Sequence, residues 1–117
     1  MKAIRVHFTA TDSSLHVDEV PKPTAAADQI VIKAQAIGLN RADLMRRRTA
    51  QPGQPEPPAT PGLDVAGVVE SVGTEVRGWR AGEQVTALVR GAYAEYVATR
   101  AVTAYRIPRG MSITEAA

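Results

Sequence analysis

A glycine-broken run of β-branched residues between positions 61 and 82 constrains the fold of this chain more than any other segment. Four valines favour a half-buried strand there: Val65, Val68, Val69 and Val72. Five glycines interrupt or follow the same run: Gly62, Gly67, Gly73, Gly78 and Gly82. A glycine inside a strand marks a bulge, a sharp bend or a close backbone approach. We therefore expect a small, strongly curled sheet rather than a flat layer.

Length and composition suit one domain with a modest core, since the chain has 117 residues, 44% of them hydrophobic and 22% charged. The apolar runs are too short to cross a bilayer, and no secretory signal pattern precedes the first strand-like alternation. Cysteine is absent from the sequence, which excludes disulfides and thiolate zinc sites within it and is typical of a reducing compartment. We expect a cytoplasmic protein with no membrane partner.

The charge pattern gives little support to a nucleic-acid partner. The net charge is +2, and the one tight basic cluster spans residues 46–48. We interpret this cluster as the solvated last turn of a helix, where cations complement the helix dipole, with a phosphate contact as the alternative. Aromatic residues make up only 4% of the chain, too few for a base-stacking platform. We therefore expect no nucleic acid to bind.

Hydrophobic periodicity predicts a series of short strands and one helix. The strands cover residues 2–8, 15–20, 29–37, 61–73, 84–89, 92–99 and 102–107. The helix covers residues 41–48 with Asn40 as its N-cap, and five prolines make residues 51–61 an extended excursion. Many short strands with glycine- and proline-rich turns predict a mainly β fold, a partly open β-barrel with one or two short helices.

The last residues have the spacing of a helix start. Ser112 and Glu115 stand three apart, as in a capping box, and two alanines follow. A helix of one turn cannot offset its nucleation cost in water. We therefore expect this segment to derive from a longer architecture, either as a cut piece or as a shortened descendant.

An ordered set of motifs carries a family resemblance. The set is Gly38-Leu-Asn40-x-x-Asp43, Pro61-Gly-x-Asp64-x-Ala-Gly67-x-Val-x-x-Val-Gly73, Gly82-x-x-Val85 and Gly91-Ala-Tyr93-Ala-Glu95-Tyr96. It resembles the N-terminal, GroES-like substrate domain of medium-chain dehydrogenases/reductases, most of all the zinc-independent quinone oxidoreductase and enoyl reductase branch. The resemblance implies one GroES-like domain over residues 1–117, ending where a helix would lead to an absent Rossmann cofactor domain.

The same resemblance predicts which cofactors the chain lacks. Zinc-dependent relatives carry a cysteine where Asn40 stands and a His-Glu pair where Leu63 and Asp64 stand, so we expect no metal. His7 and His16 fall in the first hairpin and are interpreted as strand-surface residues. The family holds NADPH on a glycine-rich strand–turn–helix, and the sequence contains no G-x-G-x-x-G. We therefore expect no tight NADPH binding by this chain alone.

The resemblance also implies the site residues. Asn40 and Asp43 are the candidate catalytic residues and would face the nicotinamide and the substrate. Asn40 would donate to a carbonyl oxygen and Asp43 would orient its neighbours, although both also suit a purely structural helix start. Met45, which stands where relatives often have a tyrosine, Leu63 and Tyr93 are candidate substrate contacts, with core packing as the alternative for Tyr93. Asp64 is interpreted as a turn or surface carboxylate.

Three functions follow as hypotheses. The first is the substrate domain of a zinc-free, NADPH-dependent quinone or enone oxidoreductase. The second is a stand-alone non-redox enzyme, such as a cyclase, isomerase or dehydratase, acting on a polyketide-like or quinonoid ligand. The third is a non-catalytic binding or assembly module. In each case we expect the exposed apolar surface to be covered by a second copy of the chain or by a separate cofactor domain.

Overall fold

The computed structural model describes residues 1–8, 12–48 and 59–117. These ranges contain one helix, α1 (Arg41–Arg48), and a single 3₁₀ turn at Ala101–Thr103. The strands are β1 (Lys2–Phe8), β2 (Ser13–Glu19), β3 (Gln29–Ile37), β4 (Asp64–Val72), β5 (Gln84–Leu88), β6 (Tyr96–Arg100) and β7 (Ala104–Arg106). The proline-rich excursion predicted over residues 51–61 falls mostly outside the described residues, as do the side chains of residues 46–48.

The strands form two antiparallel sheets. β1 and β2 form a hairpin, and the other five strands form a sheet in the order β6-β3-β4-β5-β7. The free edge of β1 forms isolated bridges with the segments that precede β6 and β4, from Ala3 to Ala94 and from Val6 to Ala59. The predicted mainly β fold with a partly open barrel and little helix is confirmed.

The curl of the sheet comes from the pairing of β3 with β4. Its register shifts twice, between Val31 and Ile32 and again between Ala34 and Ala36. Such bulges bend a strand and increase its twist. At Gly67 the two backbones approach so closely that a Cβ atom would lie 2.1 Å from the carbonyl oxygen of Lys33. The close backbone approach expected of a glycine in this strand is therefore confirmed at Gly67, and the two bulges agree with a curled sheet.

The core lies inside this curl. Its fully buried members with the largest side chains are Ile30, Ile32, Val65 and Val85, which alternate along β3, β4 and β5. Each such side chain contributes about 1.5–3 kcal/mol relative to an exposed position. Trp79 and Tyr93 pack at its margin. The core thus supports the strand ends from which the candidate site is built.

Four predicted strand starts are wrong, and hydrogen bonds to distant segments explain one of them. β2 begins at Ser13 rather than 15. β4 begins at Asp64 rather than 61, and a 3₁₀ turn replaces the first residues of the strand predicted over 102–107. β6 begins at Tyr96 rather than 92. The backbone N–H of Tyr93 donates to the carbonyl of Pro61 (3.0 Å), and that of Glu95 donates to Lys2 (3.1 Å). Residues 92–95 therefore connect β1 to the 61–62 loop instead of extending β6.

The capping box predicted near the end of the chain is present. The backbone N–H of Ser112 donates to the Glu115 carboxylate (2.8 Å), and the N–H of Glu115 donates back to Ser112 Oγ (3.2 Å). These hydrogen bonds hold the pKa of Glu115 below its usual value. In the part of the chain that the structure describes, no helix has the length and apolar character needed to cross a membrane. The helix α1 has only eight residues.

Candidate functional site

A buried carboxylate, Asp43, is the centre of the candidate site. It lies in the first turn of α1 with 9% of its surface exposed. Its Oδ2 accepts the backbone N–H of Asn40 (3.0 Å) and the hydroxyl of Tyr93 (2.9 Å), and its Oδ1 accepts the backbone N–H of Gly62 (3.0 Å). One side chain thus fastens the helix start, the loop before β4 and the segment before β6 to one another.

Gly62 makes this convergence possible. Its φ of +101° lies in the region that favours glycine, and a Cβ atom there would lie 2.6 Å from Cδ1 of Tyr93. Its carbonyl accepts the backbone N–H groups of Gly91 (3.0 Å) and Ala92 (3.3 Å). The loop therefore presents one N–H to Asp43 while the Tyr93 ring packs directly against its backbone.

Asn40 precedes α1 as predicted, and its side chain contacts β4. Its carbonyl accepts the N–H of Asp43 (3.0 Å), which places it at the N-cap position. Its side-chain Nδ2 donates to Oδ2 of Asp64 at 2.5 Å. Since an asparagine amide carries two N–H donors and one acceptor oxygen, one N–H is used by Asp64.

The hydroxyl of Tyr93 donates a hydrogen bond to Asp43 and is poorly suited to lose its proton. Burial raises the pKa of Tyr93 to about 12. The hydrogen bond to Asp43 and the negative charge of the Asp43 carboxylate raise this pKa as well. The ring also packs against the core. The sequence left two roles open for Tyr93, substrate contact and core packing; the structure shows the packing and the bonded hydroxyl, and substrate contact stays a prediction.

We expect the phenol of Tyr93 to titrate near pH 12, followed by NMR of its ring carbons, and to move towards 10 in Asp43→Asn. Because its pKa is raised on folding, its stabilising effect is complete below pH 10 and is lost as pH rises from 10 to 12. The Tyr93→Phe variant should lack this loss of stability. Titration of Tyr93 at 10 in the wild type would contradict the bond to Asp43.

The two remaining candidate contacts are apolar and flank the network along the chain. Met45 lies on α1 with 59% of its surface exposed, and Leu63 is half-buried directly before Asp64. Leu39, next to Asn40, is 84% exposed. The turn into α1 therefore presents apolar side chains to solvent on either side of Asn40.

The described residues bring together no group of three or more His, Cys, Asp or Glu side chains that could hold a metal. The histidines lie on the β1–β2 hairpin, where Nε2 of His7 and Oδ2 of Asp18 are 2.7 Å apart and the rings of His7 and His16 have centroids 4.6 Å apart. This places both on strand β1 or β2, as predicted.

Sequence reasoning missed two members of the site, Asp64 and Gly62. Asp64 was interpreted as a turn or surface carboxylate, and it is instead a partly buried residue at the first position of β4 that accepts a hydrogen bond from Asn40. Both residues stand in the motif that begins at Pro61, so the motif itself was the available signal.

Comparisons with known proteins agree with this architecture. Quinone oxidoreductase of Lama guanicoe is 39% identical over 111 residues, which are 92% of this chain and 34% of that protein. The synaptic vesicle membrane protein VAT-1 homolog of Danio rerio is 38% identical over 97 residues, 82% of this chain and 20% of that protein. The structure of Escherichia coli quinone oxidoreductase complexed with NADPH superposes with a TM-score of 0.85 at 28% identity, covering 99% of this chain and 36% of that one.

The chain spans only about a third or less of the length of these relatives. Residues 26–109 match the model of the alcohol dehydrogenase GroES-like domain, and this range includes every member of the Asp43 network. The resemblance read from the motifs is confirmed: the chain belongs to the alcohol dehydrogenase GroES-like domain family and is related to the quinone oxidoreductases.

Proposed function

We propose that this chain is the substrate-side half of a zinc-free, NADPH-dependent reductase of quinones or enones that acts in the cytoplasm. Its similarity to quinone oxidoreductases, one of them solved with NADPH, supports the substrate class and the cofactor. The observation that carries the proposal is the Asp43 network, because it fixes Asn40 at the start of α1 beside exposed apolar side chains. A fixed amide next to an apolar surface suits a flat carbonyl compound.

The residues present do not fit the phosphate end of the nucleotide. Dinucleotides bind at a glycine-rich turn between parallel strands, whereas every strand pair in the described part of the chain is antiparallel. The chain offers only a nicotinamide-facing side, at Asn40 and Asp43. In this proposal the phosphate end is held by a separate cofactor domain that covers exposed apolar residues such as Leu39, Leu44 and Met45. A second copy of the chain would cover the same residues without holding the phosphate end.

The proposed role of each residue follows from its hydrogen bonds. NADPH, when bound, supplies a hydride to the quinone carbonyl or to the β-carbon of the enone. The second N–H of Asn40 donates to the substrate oxygen, on which negative charge develops. Asp43 holds the main chain of Asn40, and Met45 and Leu63 provide apolar contact. Tyr93 keeps its proton and stabilises Asp43.

Titration with 9,10-phenanthrenequinone tests the site directly. Asn40 is the single asparagine of the chain, so asparagine-selective ¹⁵N labelling gives one side-chain NH₂ signal to follow by NMR. We expect that signal to shift on binding, and we expect Asn40→Ala to weaken the affinity about tenfold, the effect of losing one hydrogen bond. Gln84→Ala, which removes an exposed amide on β5, is the matched control and should leave the affinity unchanged.

The same samples separate the three hypotheses. No shift at Asn40 and no effect of Asn40→Ala would overturn the site assignment. NADPH should fail to saturate the chain at millimolar concentration, and micromolar binding of NADPH by this chain alone would overturn the assignment as a half-site. Turnover of a quinonoid ligand without nucleotide would favour the non-redox enzyme. Self-association without ligand binding would favour the assembly module.

A further inference from the structure

The carboxylate of Asp64 contacts the side-chain amide of Asn40, and the absence of a side chain at Gly38 leaves room for this contact. Oδ2 of Asp64 lies 2.5 Å from Nδ2 of Asn40. The neighbouring residue Gly38 has no side chain, and a Cβ atom there would lie 2.9 Å from the same Oδ2. The backbone N–H of Gly38 donates to the carbonyl of Asp64 (3.3 Å), so the turn before α1 and the start of β4 are also joined through their main chains.

This contact fixes which way the Asn40 amide faces. A carboxylate accepts hydrogen bonds and cannot donate one, so it attracts the amide nitrogen and repels the amide oxygen. A rotation of the amide by half a turn would bring two oxygens together at about the same short distance. Because the backbone N–H of Asn40 is held separately by Asp43, the residue is fixed at its main chain and at its side chain by two different carboxylates.

We propose that Asp64 is a positioning residue that sets the orientation of the Asn40 amide towards the substrate, an inference that rests on the proposed function. One N–H of the amide is held by Asp64, and the other is thereby aimed at the ligand. Hydrogen bonds to a charged acceptor are stronger than neutral ones, which suits a rigid donor. Asp64 itself does not contact substrate in this proposal and acts only through Asn40.

The amide signal of Asn40 tests the positioning without any ligand. In the wild type we expect one of the two side-chain protons to be shifted downfield and protected from exchange. Asp64→Leu should remove both features, and Asp64→Asn should keep them in weaker form because its oxygen still accepts. Glu75→Gln removes a carboxylate from the turn after β4 and should change neither. Unchanged proton shifts in Asp64→Leu, with the fold shown intact by its backbone spectrum, would overturn the proposal.

A double-mutant cycle on the phenanthrenequinone affinity separates positioning from general support. Asp64→Leu should weaken binding about tenfold in the wild type, with partial rescue in Asp64→Asn. In an Asn40→Ala background, Asp64→Leu should have no further effect, since the residue it acts through is gone. Additive losses would show a structural role and overturn the positioning claim. If the amide signal responds to Asp64 but no quinone binds, the proposed function fails, whereas the orientation of the Asn40 amide by Asp64 is supported.

Discussion

Replacing Gly67 by alanine is expected to cost at least about 3 kcal/mol of unfolding free energy, a large share of the total for a domain of this size. The added Cβ atom would lie 2.1 Å from the carbonyl oxygen of Lys33, which is backbone and cannot rotate away. The pairing of β3 with β4 would have to open at the centre of the five-stranded sheet. Urea denaturation followed by the fluorescence of Trp79 measures the loss.

Gly78→Ala is the matched control, because it adds the same methyl group where backbone strain, and not a steric clash, is the cost. Gly78 has a φ of +84°, which strains an alanine, but nothing lies within 4 Å of its would-be Cβ atom. Its cost should stay near 1–2 kcal/mol. Equal losses at the two positions would mean that steric exclusion between strands is not what requires glycine at Gly67.

Asp43→Asn is the second change with a large expected effect, about 2–4 kcal/mol of unfolding free energy. Three donors converge on the two carboxylate oxygens: two backbone N–H groups and the Tyr93 hydroxyl. An asparagine has a single acceptor oxygen, so its NH₂ group must face at least one of these donors. A buried donor is then left without an acceptor while the side-chain volume hardly changes.

Asp28→Asn provides the comparison for this substitution. Asp28 accepts a hydrogen bond from Nε of Arg100 (3.1 Å), and both side chains are more than half exposed. Surface pairs of this kind contribute roughly 0–1 kcal/mol, so chemical denaturation should show little change. A similarly small effect of Asp43→Asn would contradict the network that defines the candidate site.

Local patterns were sufficient to predict most of the fold. The bounds of β1, β3 and α1 follow from alternation and from the change of period after residue 37, and all three are confirmed. The close backbone approach expected of a glycine within a strand is found at Gly67. These features depend on neighbours in sequence or on a general property of glycine, which a single sequence displays.

Contacts between distant residues could not be predicted in the same way. Asp43 and Tyr93 are 50 positions apart, and Asn40 and Asp64 are 24 apart. Whether such side chains meet depends on the register of β3 with β4 and on the path of residues 91–95, which the alternation of single strands does not encode. For that reason the family motifs identified Asp43 and Tyr93 as candidate site residues but did not show that they are hydrogen-bonded to each other. Asp64 was assigned to the surface for the same reason.

The closure of β1 against residues at the far end of the chain has a consequence for synthesis. Ala3 pairs with Ala94, so its partner leaves the ribosome only after a further 91 residues have been added. At about 5–20 residues per second, this delay is roughly 5 to 20 s. The β1–β2 hairpin can form early, but its other edge is fully paired only after that interval, since Val6 meets Ala59 first and Ala3 meets Ala94 later. The nascent protein therefore carries an incompletely protected strand edge during that interval, when chaperone capture and mispairing compete with folding.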